Sequence, residues 1–158
     1  MNYYIADMHL GHKNVIQFDS RPFSNIEEMN DVLITKWNAK VAEDDDVWIL
    51  GDFCYRSEKD PSYYLKQLRG RKHLIVGNHD KATIKCVSAP KYFESIEHLR
   101  HLKDGDKNVI LCHFPLAEWN AKHRGSYHVY DHIHNNQDEV FEFMKKTGES
   151  VKCRVHAE

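Results

Sequence analysis

Seven side chains suited to holding metal ions stand in a regular relation to the apolar runs of this 158-residue chain: Asp7, His9, Asp52, Asn78, His113, His132 and His134. Asp7-Met8-His9 follows the run Tyr3–Ala6, Gly51-Asp52 follows Val47–Leu50, and Gly77-Asn78-His79-Asp80 follows His73–Val76. His113 follows Val109–Cys112, and Asp131-His132-Ile133-His134 follows Tyr127–Tyr130. Ligands of open α/β sheets collect beyond the carboxyl ends of strands. Five such ends delivering Asp, His or Asn exceed what ordinary loop composition supplies. Oxygen and imidazole donors without a cysteine suit Mn, Fe, Zn, Ni or Co rather than a thiolate-bound structural zinc. Seven donors are too many for one tetrahedral ion and match two ions sharing a carboxylate. Two ions roughly 3.5–4 Å apart can polarise a phosphoryl group, generate a hydroxide and stabilise a leaving oxygen.

The elements that must position these groups are short. The first four runs are compact and apolar, as central strands covered on both faces require. Tyr127–Tyr130 is a fifth, and Ser150–Val155 reads as an edge strand. Ser24 and Glu27 form a capping-box pattern that opens a helix over 26–42, with Ile26, Met29, Leu33, Trp37 and Val41 on one face. Asp60-Pro61 opens a second helix ending near Gly70, with Tyr64, Leu65 and Leu68 as its buried face. A third covers about 137–146, and Asp104-Gly105-Asp106 reads as a hairpin turn. Strands alternating with helical patterns argue for a layered α/β fold.

Composition narrows the function. With 22 Lys and Arg against 24 Asp and Glu, the formal charge is −2, which argues against a stable nucleic-acid complex held by a broad basic surface. No apolar run approaches the roughly 18–20 residues of a membrane span. Asn2–Ala6 runs straight into polar residues, so no signal peptide is expected. Cys54, Cys86, Cys112 and Cys153 are scattered, which reads as reduced thiols in a cytoplasmic protein. Trp37 and Trp48 read as core and Trp119 as site rim, while Cys112 should pack inward beside His113. Of the 12 histidines, His73, His98, His101 and His156 read as structural or exposed. The acidic run Glu43–Asp46 reads as a solvated turn. His12, Arg21, Arg56, Lys59, His123, Arg124 and His128 fall in loops on or near the metal face, where a phosphate ester needs further donors. His12 leads that set, followed by Arg124 and His128.

Asp7-x-His9, Gly51-Asp52, Gly77-Asn78-His79-Asp80, His113 and His132-x-His134 resemble the five ordered signatures of the calcineurin-like metallophosphoesterases, from residue 3 to about 135. The resemblance implies an α/β fold, a four-layer αββα sandwich of two mixed β-sheets flanked by helices, forming one domain over 1–158 with no cap. It implies that Asp7, His9 and His134 hold one metal, that Asn78, His113 and His132 hold the second, and that Asp52 bridges both. His79 would be the general acid and Asp80 would orient it, with a metal-bridging hydroxide attacking phosphorus. Manganese is the favoured ion. The implied partner is a small phosphate ester or nucleotide, with a phosphodiester favoured over a phosphomonoester; homodimerisation is left open. A non-catalytic scaffold that binds a protein partner is the reading from another class. One position departs from the family pattern: Asp131 stands where the family usually has glycine. Glycine permits a positive φ, which Asp tolerates better than most residues. The extra carboxylate would either accept a hydrogen bond from a ligand histidine or repel phosphate.

Overall fold

The computed structural model describes residues 1–134, 138–147 and 150–152. In chain order the elements are β1 (Asn2–Ile5), α1 (Val15–Phe18), α2 (Ile26–Lys40), β2 (Asp46–Ile49), α3 (Pro61–Leu65), β3 (Arg71–Ile75) and α4 (Lys81–Lys85). They continue with β4 (Phe93–Glu97), β5 (Leu99–Asp104), β6 (Lys107–Cys112), β7 (Tyr127–Tyr130), α5 (Glu139–Lys146) and β8 (Ser150–Lys152). One sheet runs β1-β2-β3-β4 and the other β5-β6-β7-β8.

Alternation along the strands builds the layers, because successive side chains leave opposite faces of a sheet. Val47, Ile49 and Leu74 face a core shared with Met29, Leu33 and Trp37 of α2. Their neighbours Trp48, Leu50 and Ile75 face Val109, Leu111 and Val129 of the other sheet. Ile110 and Tyr130 face outward, onto Met144 of α5 and Trp119. The order is therefore helix, sheet, sheet, helix, the αββα sandwich expected. The second sheet is mixed, since β5 is antiparallel to β6 while β6, β7 and β8 run parallel. The first differs from expectation in being wholly parallel, with β1 at its edge rather than its centre. At the amino end of β1 the sheets are latched: Tyr4 Oη donates to Asp104 Oδ2 (2.8 Å) and Asn2 Nδ2 to Asp104 Oδ1 (2.9 Å).

The helix caps show where local pattern suffices. Asp60 accepts from the Ser62 amide and opens α3 as expected, but α3 ends at Leu65, and turns carry the buried face on to Leu68. At α2 the box is shifted by one residue: Asn25 is the N-cap and accepts from the Glu28 amide, while Glu28 accepts from the Ser24 amide. Asn caps as well as Ser, and the register of the apolar face decides between them. Trp37 and Trp48 are core, whereas Trp119 is buried in the outer cluster, its indole donating to Ser126 O, and is not a rim residue. Asp45 departs from a solvated turn, accepting from the chain amino group and from the Ala42 amide. The turn at Asp104-Gly105-Asp106 joins β5 to β6 as the hairpin expected, whereas β4 and the extent of β5 carry no apolar signal, because FESIE and LRHLKD are polar, as partly exposed edge strands allow. His73 is structural, stacked on Trp48 and bonded to Asp46 and Ser95. Cys153, His156 and the end of the Ser150–Val155 run lie outside the described residues.

Leu111 is fully buried between the sheets. Leu111→Ala is expected to cost about 2–5 kcal/mol through lost burial and the cavity left behind. The check is a lower urea midpoint at unchanged slope.

Candidate metal centre

Parallel strands β1, β2 and β3 end side by side, and their following loops run together: the Asp7 amide donates to Gly51 O (3.1 Å) and the His9 amide to Asp52 O (2.9 Å). β6 and β7 bring His113 and the 131–134 loop to the same end, where the Asp131 amide donates to His113 O (3.1 Å). One donor atom from each of Asp7, His9, Asp52 and His134 lies within 4.8 Å of the others. Beside them, His113 Nε2 stands 3.0 Å from Asn78 Oδ1 and 3.7 Å from Asp52 Oδ2. The His132 ring centroid is 5.1 Å from that of His113. Asp52 thus borders both groups.

The backbone is bent to make this possible. Asp7, His9, Asp52, His132 and His134 all adopt left-handed φ, between +47° and +66°. Each such residue costs on the order of 1–3 kcal/mol and persists only where its surroundings over-determine it. Asp131 is not among them, so the turn falls on His132 and the glycine's freedom is not required at 131. Close approach is required elsewhere: a Cβ on Gly77 would collide with the Asp52 carboxylate, and one on Gly51 with the His113 ring.

Two carboxylates, one buried and one half-buried, organise the loops from behind. Asp80 is fully buried and accepts from the amides of Asp52 (2.9 Å), Phe53 (2.9 Å) and Gly77 (2.8 Å). The expectation that Asp80 orients His79 is corrected by these bonds: its oxygens are used on three amides of the ligand-bearing loops, and it positions those loops. Burial raises the Asp80 carboxyl to about 6 even so. Asp19, not anticipated, accepts from His134 Nδ1 (3.0 Å) and pairs with Arg21 (3.0 Å). Arg21 in turn donates to the carbonyls of Asp7 (2.7 Å) and Met8 (3.1 Å), which ties the first ligand loop to the last ligand. A carboxylate behind a ligand imidazole fixes its orientation and raises its basicity. Accordingly, the hydrogen bond to Asp19 raises the His134 pKa.

The polar atoms facing inward are left without partners. Both oxygens of Asp7, both ring nitrogens of His9 and Oδ2 of Asp52 are buried and make no hydrogen bond. Buried polar atoms are rarely abandoned in this way, because each costs the desolvation of a group that gets nothing back. His113 gives the same sign. Its Nδ1 donates to Leu50 O (2.8 Å), and burial lowers its pKa, so its neutral Nε2 presents a lone pair to the Asn78 oxygen. Two acceptors facing one another are relieved by a cation. This donor set, nitrogen and oxygen with no sulfur, fits divalent transition metals. Burial, then the Asp131 charge, pushes the Asp7 carboxyl up to about 8. Burial lowers the pKa of His9 as well.

The remaining expected site residues divide. His79 lies at the edge, its amide donating to Asp52 Oδ1 (2.8 Å) and its Nε2 4.0 Å from Asp52 Oδ2. His12 lies 5.4 Å from His9, ring to ring, and its buried Nδ1 has no partner. His9, His12, His79 and His134 share a cavity of about 430 Å³ with Phe18, Asp19, Tyr55 and Arg56. His128 is not a substrate contact. It is fully buried, accepts at Nε2 from the Leu116 amide (3.1 Å), donates from Nδ1 to Ile110 O (3.1 Å), and packs against Trp119 and Tyr130. Arg124 is exposed in a 3-10 turn after Trp119 and is not part of the cavity wall. Cys112 is buried as expected, which pushes its thiol pKa up. Tyr55, Phe18 and Phe114 were missed. Phe114 meets the His132 ring edge-on at 4.6 Å. Isolated aromatics in loops give no periodic signal.

Comparison with known proteins agrees with this geometry. The chain matches the calcineurin-like phosphoesterase family over residues 3–151. An uncharacterized protein of Methanocaldococcus jannaschii is 34% identical over 155 residues, which is 97% of this chain and 80% of the relative. The Gene 66 protein of Mycobacterium phage L5 is 28% identical over 162 residues, 84% of this chain and 77% of its own. A solved protein of unknown function from Aquifex aeolicus superposes with a TM-score of 0.76 at 24% identity, covering 98% of this chain and 90% of that one. YfcE, a phosphoesterase from E. coli, superposes with a TM-score of 0.52 at 13% identity, covering 97% and 77%. These likenesses show the fold.

Two outcomes follow for metal binding. Ligand carboxylates must be deprotonated. Asp7, its carboxyl pushed up to about 8, and His134, its imidazole raised by Asp19, should therefore release protons on taking up Mn²⁺, the Asp7 share fading as pH rises through about 8. Calorimetry in buffers of different ionisation enthalpy reads this directly. Asp19→Asn should weaken Mn²⁺ binding about 10- to 100-fold while leaving the urea midpoint close to wild type.

Proposed function

Because the chain belongs to the calcineurin-like phosphoesterase family, we propose that it hydrolyses a small phosphodiester using two divalent metal ions, manganese favoured. Asp7, His9 and His134 would hold one ion, Asn78, His113 and His132 the other, and Asp52 both. The observation that carries this reading is the set of buried, unpartnered atoms on Asp7, His9 and Asp52, beside a cavity that His9 and His79 both line. When bound, the ions supply a nucleophilic water at neutral pH and offset negative charge on the phosphoryl oxygens.

The chain's own groups do the rest. The His79 main chain is tied to Asp52, while its side chain stays 33% exposed at the cavity edge, free to meet an ester oxygen. Its proton goes to that oxygen as the bond to phosphorus breaks. His12 lines the same cavity, where its ring can face a non-bridging oxygen. Arg56 adds positive charge at the cavity wall. A diester is favoured over a monoester because the cavity of about 430 Å³ leaves room for a second ester arm. A cytoplasmic setting suits Cys54, Cys86 and Cys112, which are free thiols. The formal charge of −2 suits a small substrate better than a nucleic-acid polymer.

Turnover of bis(4-nitrophenyl) phosphate and 4-nitrophenyl phosphate with added Mn²⁺ tests the reading. The diester should be the better substrate. Faster monoester turnover would make the protein a phosphomonoesterase. Inactivity on both, in protein carrying two metals, would leave a non-catalytic scaffold. His79→Ala should keep the metal stoichiometry and lose about 10²- to 10⁴-fold in rate, whereas Asp52→Ala should lose both metals and activity.

A further inference from the structure

Resting on the phosphodiesterase reading and extending it to the substrate, we infer that the outer wall of the cavity beside the metal centre is a subsite for a planar aromatic ester arm, held among Phe18, Tyr55 and Arg56. Phe18, the last residue of α1, is 74% exposed although it lines the cavity. An apolar ring left in solvent at a cavity wall gains when a ligand ring covers it. His12 stands between the two aromatics, edge-on to Phe18 at 6.3 Å and to Tyr55 at 5.0 Å, so the wall is continuous rather than two isolated rings.

Arg56 extends that wall. Its guanidinium lies over the Tyr55 ring, 5.2 Å from the centroid, and pairs with no carboxylate among the described residues. Its backbone is held at φ +46°, a conformation a non-glycine residue keeps only under constraint. A flat cation already stacked on an aromatic face is a surface on which a further planar ring can lie. None of these three residues is among the metal donors.

Tyr55 also fixes which arm is held. Its ring is 4.0 Å from the His79 imidazole, so the subsite flanks the proton donor. The arm bound there is the one whose oxygen leaves. Water supplies the new bond to phosphorus, the old P–O electron pair passes to the ester oxygen, the His79 proton joins it there, and the proton lost by the water passes to solvent, from which His79 is reprotonated. The products are an aromatic-bearing alcohol and a phosphomonoester.

Calorimetric titration of the Mn²⁺-reconstituted protein with methylphosphonate, phenylphosphonate and the adenine-bearing phosphonate adefovir tests this without turnover. At least one ring-bearing probe should bind about tenfold tighter than methylphosphonate. The tighter of the two tells whether the ring is a simple aryl group or a nucleobase. Phe18→Ala and Arg56→Ala should each bring that probe to within about threefold of methylphosphonate, and Phe18→Tyr should retain the preference. Equal or absent binding of all three probes to the wild type, or a preference surviving in both alanine variants, overturns the subsite. Because binding is read directly, a protein that binds the ring yet cleaves no diester would overturn the hydrolase reading alone.

Discussion

The carboxylate of Asp52 sits with no exposure at the junction of the two halves of the centre. Its Oδ1 accepts from the His79 amide, while Oδ2 lies within 4.0 Å of ring nitrogens on His9, His79 and His113 and bonds to none of them. A carboxylate taken out of water in this way is unfavourable unless positive charge faces it. Much else in the structure serves to keep it there. Gly77 has no side chain because the Asp52 carboxylate occupies that space. Asp80 holds the amides of Asp52, Phe53 and Gly77 from behind, and Gly51 clears the way for His113.

The parallel first sheet and the mixed second sheet share one functional end. Parallel strands place successive carboxyl ends side by side, so β1, β2 and β3 deliver Asp7, Asp52 and Asn78 to neighbouring loops. The second sheet adds His113 and the His132-x-His134 pair from β6 and β7, which are also parallel. The inter-sheet cluster of Trp48, Leu50, Ile75, Val109, Leu111 and Val129 sets how the two groups of loops meet. Burial there offsets the left-handed backbone at five of the donors.

The surroundings of the donors differ by side. Behind His134, Asp19 and Arg21 form a charged clamp that reaches back to the Asp7 and Met8 carbonyls. Behind His113, Nδ1 donates to the carbonyl of Leu50 and stands 3.8 Å from Asp7 Oδ1, with no cation beside it among the described residues. The His134 side is therefore the more anionic, with Asp7, Asp19 and Asp131 close together, and Asp131 raises the Asp7 pKa accordingly. This answers what replaces the usual glycine: Asp131 adds negative charge beside the first donor group rather than bending the chain.

Sequence by itself determined which residues could be donors and in what order they arrive. A strand and the loop that follows it are contiguous in the chain, and the period of two in residues such as Val47, Trp48, Ile49 and Leu50 marks both the strand and its two buried faces. Tertiary structure alone decided the rest, because it concerns groups far apart in the chain. Asp19 meets His134 across 115 positions, and Asp80 turns from His79, its neighbour, to amides 27 and 28 positions away. His128 alternates inward with the outer core and finds backbone partners there, and Arg124 faces solvent. Local pattern cannot distinguish a loop histidine aimed at a cavity from one aimed at a core. That choice is made by how the two sheets pack, and the packing depends on every strand at once.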